Sequence, residues 1–294
     1  EGTLFPMPQI ELIFNVLAST GFVVVMACLT LLVFRRRIMH KSRLLVERDC
    51  CFYEQLWSGI LQNCDSVKDL QRLKDCVLGI RTQGPGGAVQ LLRSGNLGSQ
   101  SQKSIASRSI QSFHSMFQDS ETYSGHQKID SLDQLYFQAH CLHPILLRKV
   151  KTWAMCSDGL FPVRTETPGS VNFSKWTDIH EDFTLSRSVC WAKVKSVERA
   201  IEKIVRTYKH EVSKLIDICR QSIVFESISD LTRCLISISD DDDVNILRIK
   251  NRLDLGYNAA LSAGYRDVCM NLRFSSELSQ SLGLEWHVCE VQLV

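Results

Sequence analysis

Residues 12–34 read LIFNVLASTGFVVVMACLTLLVF, 23 consecutive positions without a charge. A helix needs about 20 apolar residues to cross the hydrocarbon layer of a bilayer. Such a run leaves three options: a membrane span, a buried core helix or the core of a signal peptide. A signal peptide has a basic start and a shorter apolar core. Here the preceding residues carry Glu1 and Glu11 and no Lys or Arg, whereas Arg35, Arg36, Arg37, His40, Lys41 and Arg43 follow. Positive charge marks the cytoplasmic flank of a span. The expected organisation is an extracytoplasmic stub at 1–11, a transmembrane helix at 12–34, and everything after Arg35 in the cytoplasm. The chain is then a single-pass membrane protein with its N-terminus outside, and the lipid bilayer is its first partner. Asn172-Phe173-Ser174 matches a glycosylation acceptor; on this topology it faces the cytoplasm and stays unmodified.

At 294 residues the chain has room for about two domains of ordinary size. A net charge of +2 gives no argument for a nucleic-acid partner, so local clusters matter more than the sum. The twelve cysteines include no Cys-x-x-Cys pair. Cys219, Cys234, Cys269 and Cys289 lie in apolar stretches and read as small buried hydrophobes in a reducing compartment. The chain begins without Met and stops inside an apolar strand-like run at 286–294, so a fragment is expected at both ends.

After the span, residues 35–80 form a basic collar and a membrane-proximal helical segment, a hairpin or a dimerising stalk. Leu45, Phe52, Leu56, Ile60, Leu61 and Leu70 recur there at roughly helical spacing. Residues 81–130 are rich in Gly, Ser and Gln. That composition buries too little apolar surface to offset the entropy of ordering, and predicts a flexible linker open to phosphorylation. Order returns for 131–294. The stretch LDQLYFQAHCLHPILLRKVKTWA has the density of a packed helix that Pro144 would kink or divide. Residues 158–185 read as loop.

The last third carries the chemistry. In AKVKSVERAIEKIVRTYK, Val194, Val197, Ile201, Ile204 and Val205 form an apolar stripe at helical spacing. Lys195, Arg199, Lys203 and Arg206 form a second, cationic stripe. That stripe is either a solvated face, with Glu202 and Arg206 as an i,i+4 pair, or a row of cations for a polyphosphate. The four Asp at 240–243 read as a solvated loop. NILRIKNR alternates with period two, which puts Arg248, Lys250 and Arg252 on one face and Leu247 and Ile249 on the other. In DVCMNLRF, Val268, Met270, Leu272 and Phe274 oppose Asp267, Cys269, Asn271 and Arg273. In WHVCEVQLV, Glu290 and Gln292 oppose Cys289, Val291 and Leu293. A carboxylate in so apolar a strand is costly unless paired. A metal ion, a cationic substrate pocket or a salt bridge to a neighbouring strand, such as one to Arg248, would each resolve it.

The order of these motifs resembles the synthetase domain of RelA/SpoT-like nucleotidyltransferases over roughly 190–294. Lys193-Val194-Lys195-Ser196, with Glu198 and then Glu202-Lys203, is similar to the family's Arg-x-Lys-Ser…Glu-Lys helix. Asp217, ahead of a strand, matches the family's magnesium-binding Asp. Gly264-Tyr265-Arg266 looks like its Gly-Tyr-Arg motif, and Glu290-Val291-Gln292 like its Glu-x-Gln strand. Lys193 stands where the family has Arg, Arg220 where it has a small residue, and Arg266-Asp267 replaces its Arg-Ser, forms closer to divergent branches of the superfamily.

The resemblance implies an α/β (α+β) nucleotidyltransferase-like mixed sheet with flanking helices. It also implies a pyrophosphate transfer from ATP to a ribose hydroxyl of an acceptor nucleotide such as GDP or GTP, or of an RNA. Asp217 and Glu290 would be the catalytic pair and would hold Mg2+. Lys193, Lys195, Arg199 and Lys203 would bind donor phosphates, Lys250 and Arg252 donor or acceptor phosphates. Tyr265 would stack on a base, with Arg266 and Gln292 completing the nucleotide contacts. The alternatives are a degenerate nucleotide-binding sensor that signals through the linker, and a membrane-anchored scaffold whose cationic stripes are plain surface.

Overall fold

The computed structural model describes residues 7–82, 129, 131–165 and 170–294, with side chains from residue 14 onward. Nearly all of the segment expected as a linker at 81–130 lies outside the described residues, as do residues 1–6 of the stub. The described chain divides into two units: Glu1–Trp57 with Ala260–Gly264, and Ser58–Ala259 with Tyr265–Val294.

The first unit is dominated by helix α1, Met7–Gln62, which runs without interruption through the apolar stretch and the basic collar. At 1.5 Å per residue its 56 residues reach about 84 Å. The helix contains a window long and apolar enough to cross a membrane, with none of that window buried in protein. Phe14, Phe22, Val25, Leu31 and Phe34 are all exposed.

Asn63 ends the helix and caps the next one. Its side chain accepts hydrogen bonds from the backbone N–H groups of Asp65 and Ser66, the usual satisfaction of orphan donors at a helix start. Helix α2, Cys64–Gly79, then buries Leu70, Leu73 and Val77 on one face.

The second unit is a mixed α/β fold. Helix α3, Leu132–Ser157, continues across Pro144 as one element, rather than dividing there. Asp158 closes it in the left-handed conformation, φ 54°. The next residue must be glycine for a different reason: a Cβ on Gly159 would stand 2.5 Å from Ile223 Cγ2. The 158–185 stretch, expected as loop, instead holds an antiparallel hairpin, β1 (Leu160–Arg164) and β2 (Val171–Lys175), and the short helices α4 (Trp176–Ile179) and α5 (Phe183–Ser188). Only β1 is buried; Val171, Asn172 and Phe173 face solvent, so no apolar alternation announced the second strand. Leu160 continues the ladder onto Val224 through paired backbone hydrogen bonds of 2.8 and 3.1 Å.

Helix α6 (Val197–Thr207) precedes β3 (Cys219–Ile223), α7 (Ile228–Ser239), β4 (Val244–Asn251), β5 (Val268–Phe274), α8 (Glu277–Ser281) and β6 (Cys289–Leu293). The sheet order is β3-β6-β5-β4. β6 runs parallel to β3 and antiparallel to β5, and β5 antiparallel to β4. α3 packs on β3 and α7, and α2 on α7 and β4. The core face of the sheet carries Cys219, Ile223, Met270, Leu272, Val291 and Leu293, all fully buried. Cys234 and Cys269 are buried free thiols as well.

Two local expectations change. The Asp run at 240–243 is anchored rather than simply solvated: Lys149 Nζ reaches Asp241 at 2.7 Å and Asp243 at 2.8 Å, and Trp153 Nε1 donates to Asp241 at 2.9 Å. Lys149 and Trp153 are one helical turn apart on α3, so both point at the same loop. A bulge between Ile246 and Arg248 absorbs Leu247, leaving it half-buried instead of sharing a buried face with Ile249.

Candidate functional site

Strand alternation turns every second side chain away from the helices. Residues in register across the sheet then form rows on the opposite face, where Asn271 and Cys269 are themselves buried. One row reads Arg220, Glu290, Asn271, Arg248 from β3 to β4. The neighbouring row reads Ser222, Gln292, Cys269, Lys250. Three strand spacings separate the cationic ends, about 14 Å, with Glu290 between them.

The β3 end meets α6. Asp217, one residue before the buried Ile218, is itself 6% exposed. Its Oδ2 accepts from Lys195 Nζ at 2.6 Å and from Lys203 Nζ at 2.8 Å. Its Oδ1 is buried without a hydrogen-bond partner. Lys195 is fixed by its own backbone. Its N–H donates to Ile218 O at 3.0 Å, and its carbonyl accepts the Tyr136 hydroxyl at 2.7 Å. Upstream, the Gln221 side chain accepts from Ala192 N–H and donates to Ala192 O, pinning the approach to α6 beside β3.

A cavity of about 340 Å³ adjoins this cluster, lined by Lys195, Arg199, Glu202, Lys203, Arg206, Thr207 and Arg220. Five cations face one carboxylate, and Glu202 is already taken by its ion pair with Arg206. The apolar stripe expected on α6 is divided: Val197, Ile201 and Val205 are exposed, whereas Ile204, with Ala200, makes the buried contact and Val194 packs against the core.

The two acids sit in opposite electrostatic settings. Burial alone would raise Asp217, but Lys203 and then Lys195 hold its carboxyl below the usual range. Burial raises Glu290, and the nearby charge of Asp217 raises it further against a Cys269 hydrogen bond and the cations Lys203 and Arg220. Lys195 is depressed by burial, with Lys203 and Arg220 repelling it and Asp217 opposing. Lys203 is raised: its burial is outweighed by Asp217. One carboxylate cannot satisfy two ammonium groups equally, and the more enclosed Lys195 bears the deficit. Tyr208 lies beneath Lys203, whose Nζ is 5.5 Å from its ring.

At the β4 end, burial holds Arg248 and Lys250 below their ordinary values, and for Lys250 the neighbouring Arg252 and Arg248 add to this. Lys250 and Arg266 approach the Tyr257 ring at 6.0 and 5.9 Å.

The structure thus gathers Lys195, Arg199, Lys203, Asp217 and Glu290 at one end, and sets Gln292 and Lys250 in the adjacent row. It places others differently. Lys193 is exposed and is not among the residues lining the cavity. Arg252 is ion-paired to the fully buried Asp267, so its charge is already used. Arg266 Nη1 donates to Arg252 O at 3.0 Å, and Tyr265 is half-buried. Arg220, Tyr208, Asn271 and Gln221 are part of the arrangement without having been singled out as site residues. For Arg220 and Asn271 the period-two pattern held the signal; for Tyr208 and Gln221 no sequence pattern did.

Among the described residues no three His, Cys, Asp or Glu side chains converge on one point. Mg2+ is commonly held by one or two carboxylates together with substrate phosphates. The unpartnered Asp217 Oδ1 and the charge coupling between Asp217 and Glu290 fit such an ion. Comparison with protein-family models, with curated proteins and with solved structures finds no match to this chain.

Proposed function

We propose that the chain is a membrane-tethered, RelA/SpoT-like nucleotidyltransferase that transfers pyrophosphate from ATP to a nucleotide or RNA hydroxyl. The observation that carries this reading is the row Arg220, Glu290, Asn271, Arg248, cationic at both ends with a raised carboxyl between them. A reaction that joins two phosphate-bearing substrates needs two anion sites and a proton acceptor near the line between them.

Lys195, Arg199, Lys203 and Arg220 bind the donor polyphosphate in the cavity. Arg248 and Lys250 bind the acceptor's phosphates. The acceptor hydroxyl oxygen attacks the β-phosphorus, the bond from that phosphorus to the α–β bridging oxygen breaks, and AMP leaves. Glu290 takes the hydroxyl proton; a carboxyl raised toward neutrality is a better base than an ordinary one. Asp217, together with the substrate phosphates, would hold Mg2+, which would neutralise phosphate charge when bound.

Terminally labelled ATP, magnesium and GDP, GTP or RNA test this, with Glu290→Gln as control. Label moving to one acceptor and lost in the control supports the enzyme. The two lysines on Asp217 favour a second reading, a sensor that binds nucleotide without turnover. Binding with no transfer in any acceptor would select it.

The apolar stretch of α1 is read as the membrane span, with the N-terminus outside and the second unit cytoplasmic, on the strength of the Arg35–Arg43 collar. Asn172 is exposed on β2. A glycan on it in cells would reverse the orientation.

A further inference from the structure

We propose that Lys195 and Lys203 gate Asp217. A polyphosphate anion must draw the two ammonium groups toward itself before the carboxylate accepts a divalent cation. This rests on the phosphate-binding reading of the cavity, but it concerns the order of binding rather than the reaction.

The geometry has three parts. Both ammonium groups converge on a single oxygen, Oδ2, at 2.6 and 2.8 Å. The other oxygen, Oδ1, is buried and unpartnered. The cavity beside them is lined by those same two lysines, by Arg199, Arg220 and Thr207, and by the ion pair of Arg206 with Glu202. A free dication approaching Asp217 therefore meets one negative charge already overmatched by two positive ones, beside the further cations Arg199 and Arg220. At a few ångströms in a partly desolvated site such repulsion is large on the thermal scale. An anion meets the reverse field. Each ammonium carries three donor hydrogens, so a phosphate oxygen can recruit Lys195 and Lys203 while they turn away from Oδ2. The ionised Asp217 is then no longer compensated by the lysines and stands next to a phosphate, and the pair makes a cation site that neither makes alone. Linkage requires the effect to be mutual: the carboxylate that competes for the lysines must weaken anion binding when no metal is present.

The experiment uses the full chain in detergent micelles and keeps the two ligands apart, because magnesium and pyrophosphate associate in solution. Calorimetry with pyrophosphate in EDTA compares the native protein with Asp217→Asn. The gate predicts roughly tenfold tighter anion binding in the variant, the size of one charge-assisted contact released to the ligand. Equal or weaker binding in Asp217→Asn would mean the carboxylate only positions the lysines, and overturns the gate while leaving the phosphate site standing. No pyrophosphate binding to the native protein would overturn the phosphate-site reading itself, and the gate with it. Lys203 is half-exposed, so Lys203→Gln is a second variant that tolerates the change. Mn2+ alone, followed by electron paramagnetic resonance, should bind Lys203→Gln several-fold tighter than the native protein; unchanged Mn2+ affinity overturns the gate independently.

Discussion

The two faces of the four-stranded sheet use the same strands to opposite ends. On the helix-covered face, Ile223, Leu272, Val291 and Leu293 have no exposed surface. On the other face stand Arg220, Asn271, Glu290 and Gln292, three of them only half-buried. Burial on the first face stabilises the fold through removal of apolar area from water. Semi-burial of charge on the second opposes it, since a carboxyl raised by desolvation is a group held in an unfavourable setting. Such settings persist where they serve binding or catalysis. If the polar face is the site proposed above, stability and function are separable by strand parity, and substitutions on each face should separate them.

The largest expected effect is on the polar face. Glu290→Gln should lower the transfer rate by roughly a thousandfold, the loss of a positioned proton acceptor, while leaving thermal stability equal or higher. Folding with Glu290 is disfavoured as pH rises from its unfolded value through its raised folded value. The neutral amide removes that term, so the variant's melting temperature should exceed the native protein's most at neutral pH. A melting temperature that drops instead would show Glu290 to be structural, and the faces not separable.

The opposite substitution sharpens the contrast. Leu272→Ala, one residue from Asn271 but fully buried, should cost about 3 kcal/mol in denaturant unfolding. Nucleotide affinity per folded molecule should be unchanged. A binding defect larger than the folded fraction explains would couple the faces.

How much of this was legible depended on whether one pattern served one purpose. The strands 267–274 and 286–294 were readable because their alternation is strict, and the structure puts β5 and β6 there. Glu290 stood out for the same reason: a carboxylate breaks an otherwise apolar strand. The β1–β2 hairpin was not readable, because Phe173 and Val171 face solvent and strand pairing alone leaves no periodicity. α6 misled in the other direction. Its apolar and cationic stripes are equally regular, and sequence cannot say which one faces inward. The convergence of Lys195 and Lys203 on Asp217 spans up to 22 positions of chain. It is set by the Lys195–Ile218 backbone bond, which no local pattern announces.

A smaller effect tests the boundary between the faces. His287 precedes β6 and is 2% exposed; its Nε2 has no partner, while Nδ1 lies 3.3 Å from Gln138 Oε1. Burial, with Arg273 adding repulsion, lowers its pKa to about 4. The unfolded chain therefore takes up the proton first as pH falls. This stability is complete above the unfolded value near 6.5, and declines through the interval down to about 4. The full loss is of order 3 kcal/mol, summed over that shift. Replacement by Gln should flatten the melting temperature in that interval and nowhere else. A native profile without a slope there would mean that His287 keeps its proton in the fold.

The smallest expected effect is on α6. Val197, Ile201 and Val205 are 47%, 48% and 51% exposed, at spacings of four. Val, Ile and Ser differ little in helix propensity, and exposed positions without special contacts change stability by about 0.5 kcal/mol or less. Replacing all three by Ser should therefore leave the melting temperature within a few degrees of the native protein's. Pyrophosphate affinity should also hold, because the cations that line the cavity lie on the other side of the helix. Ala200→Leu is the counter-substitution: at 0% exposed it overpacks the contact beneath α6, should cost about 1–3 kcal/mol, and should weaken the anion site by displacing Lys203. A helix whose outward apolar ridge is dispensable and whose inward alanine is not would show that α6 is placed by its small buried residues and used for its charged ones. If the Ser triple instead lowers stability by several kcal/mol, the ridge is covered in solution and α6 obeys the rule of the sheet's core face.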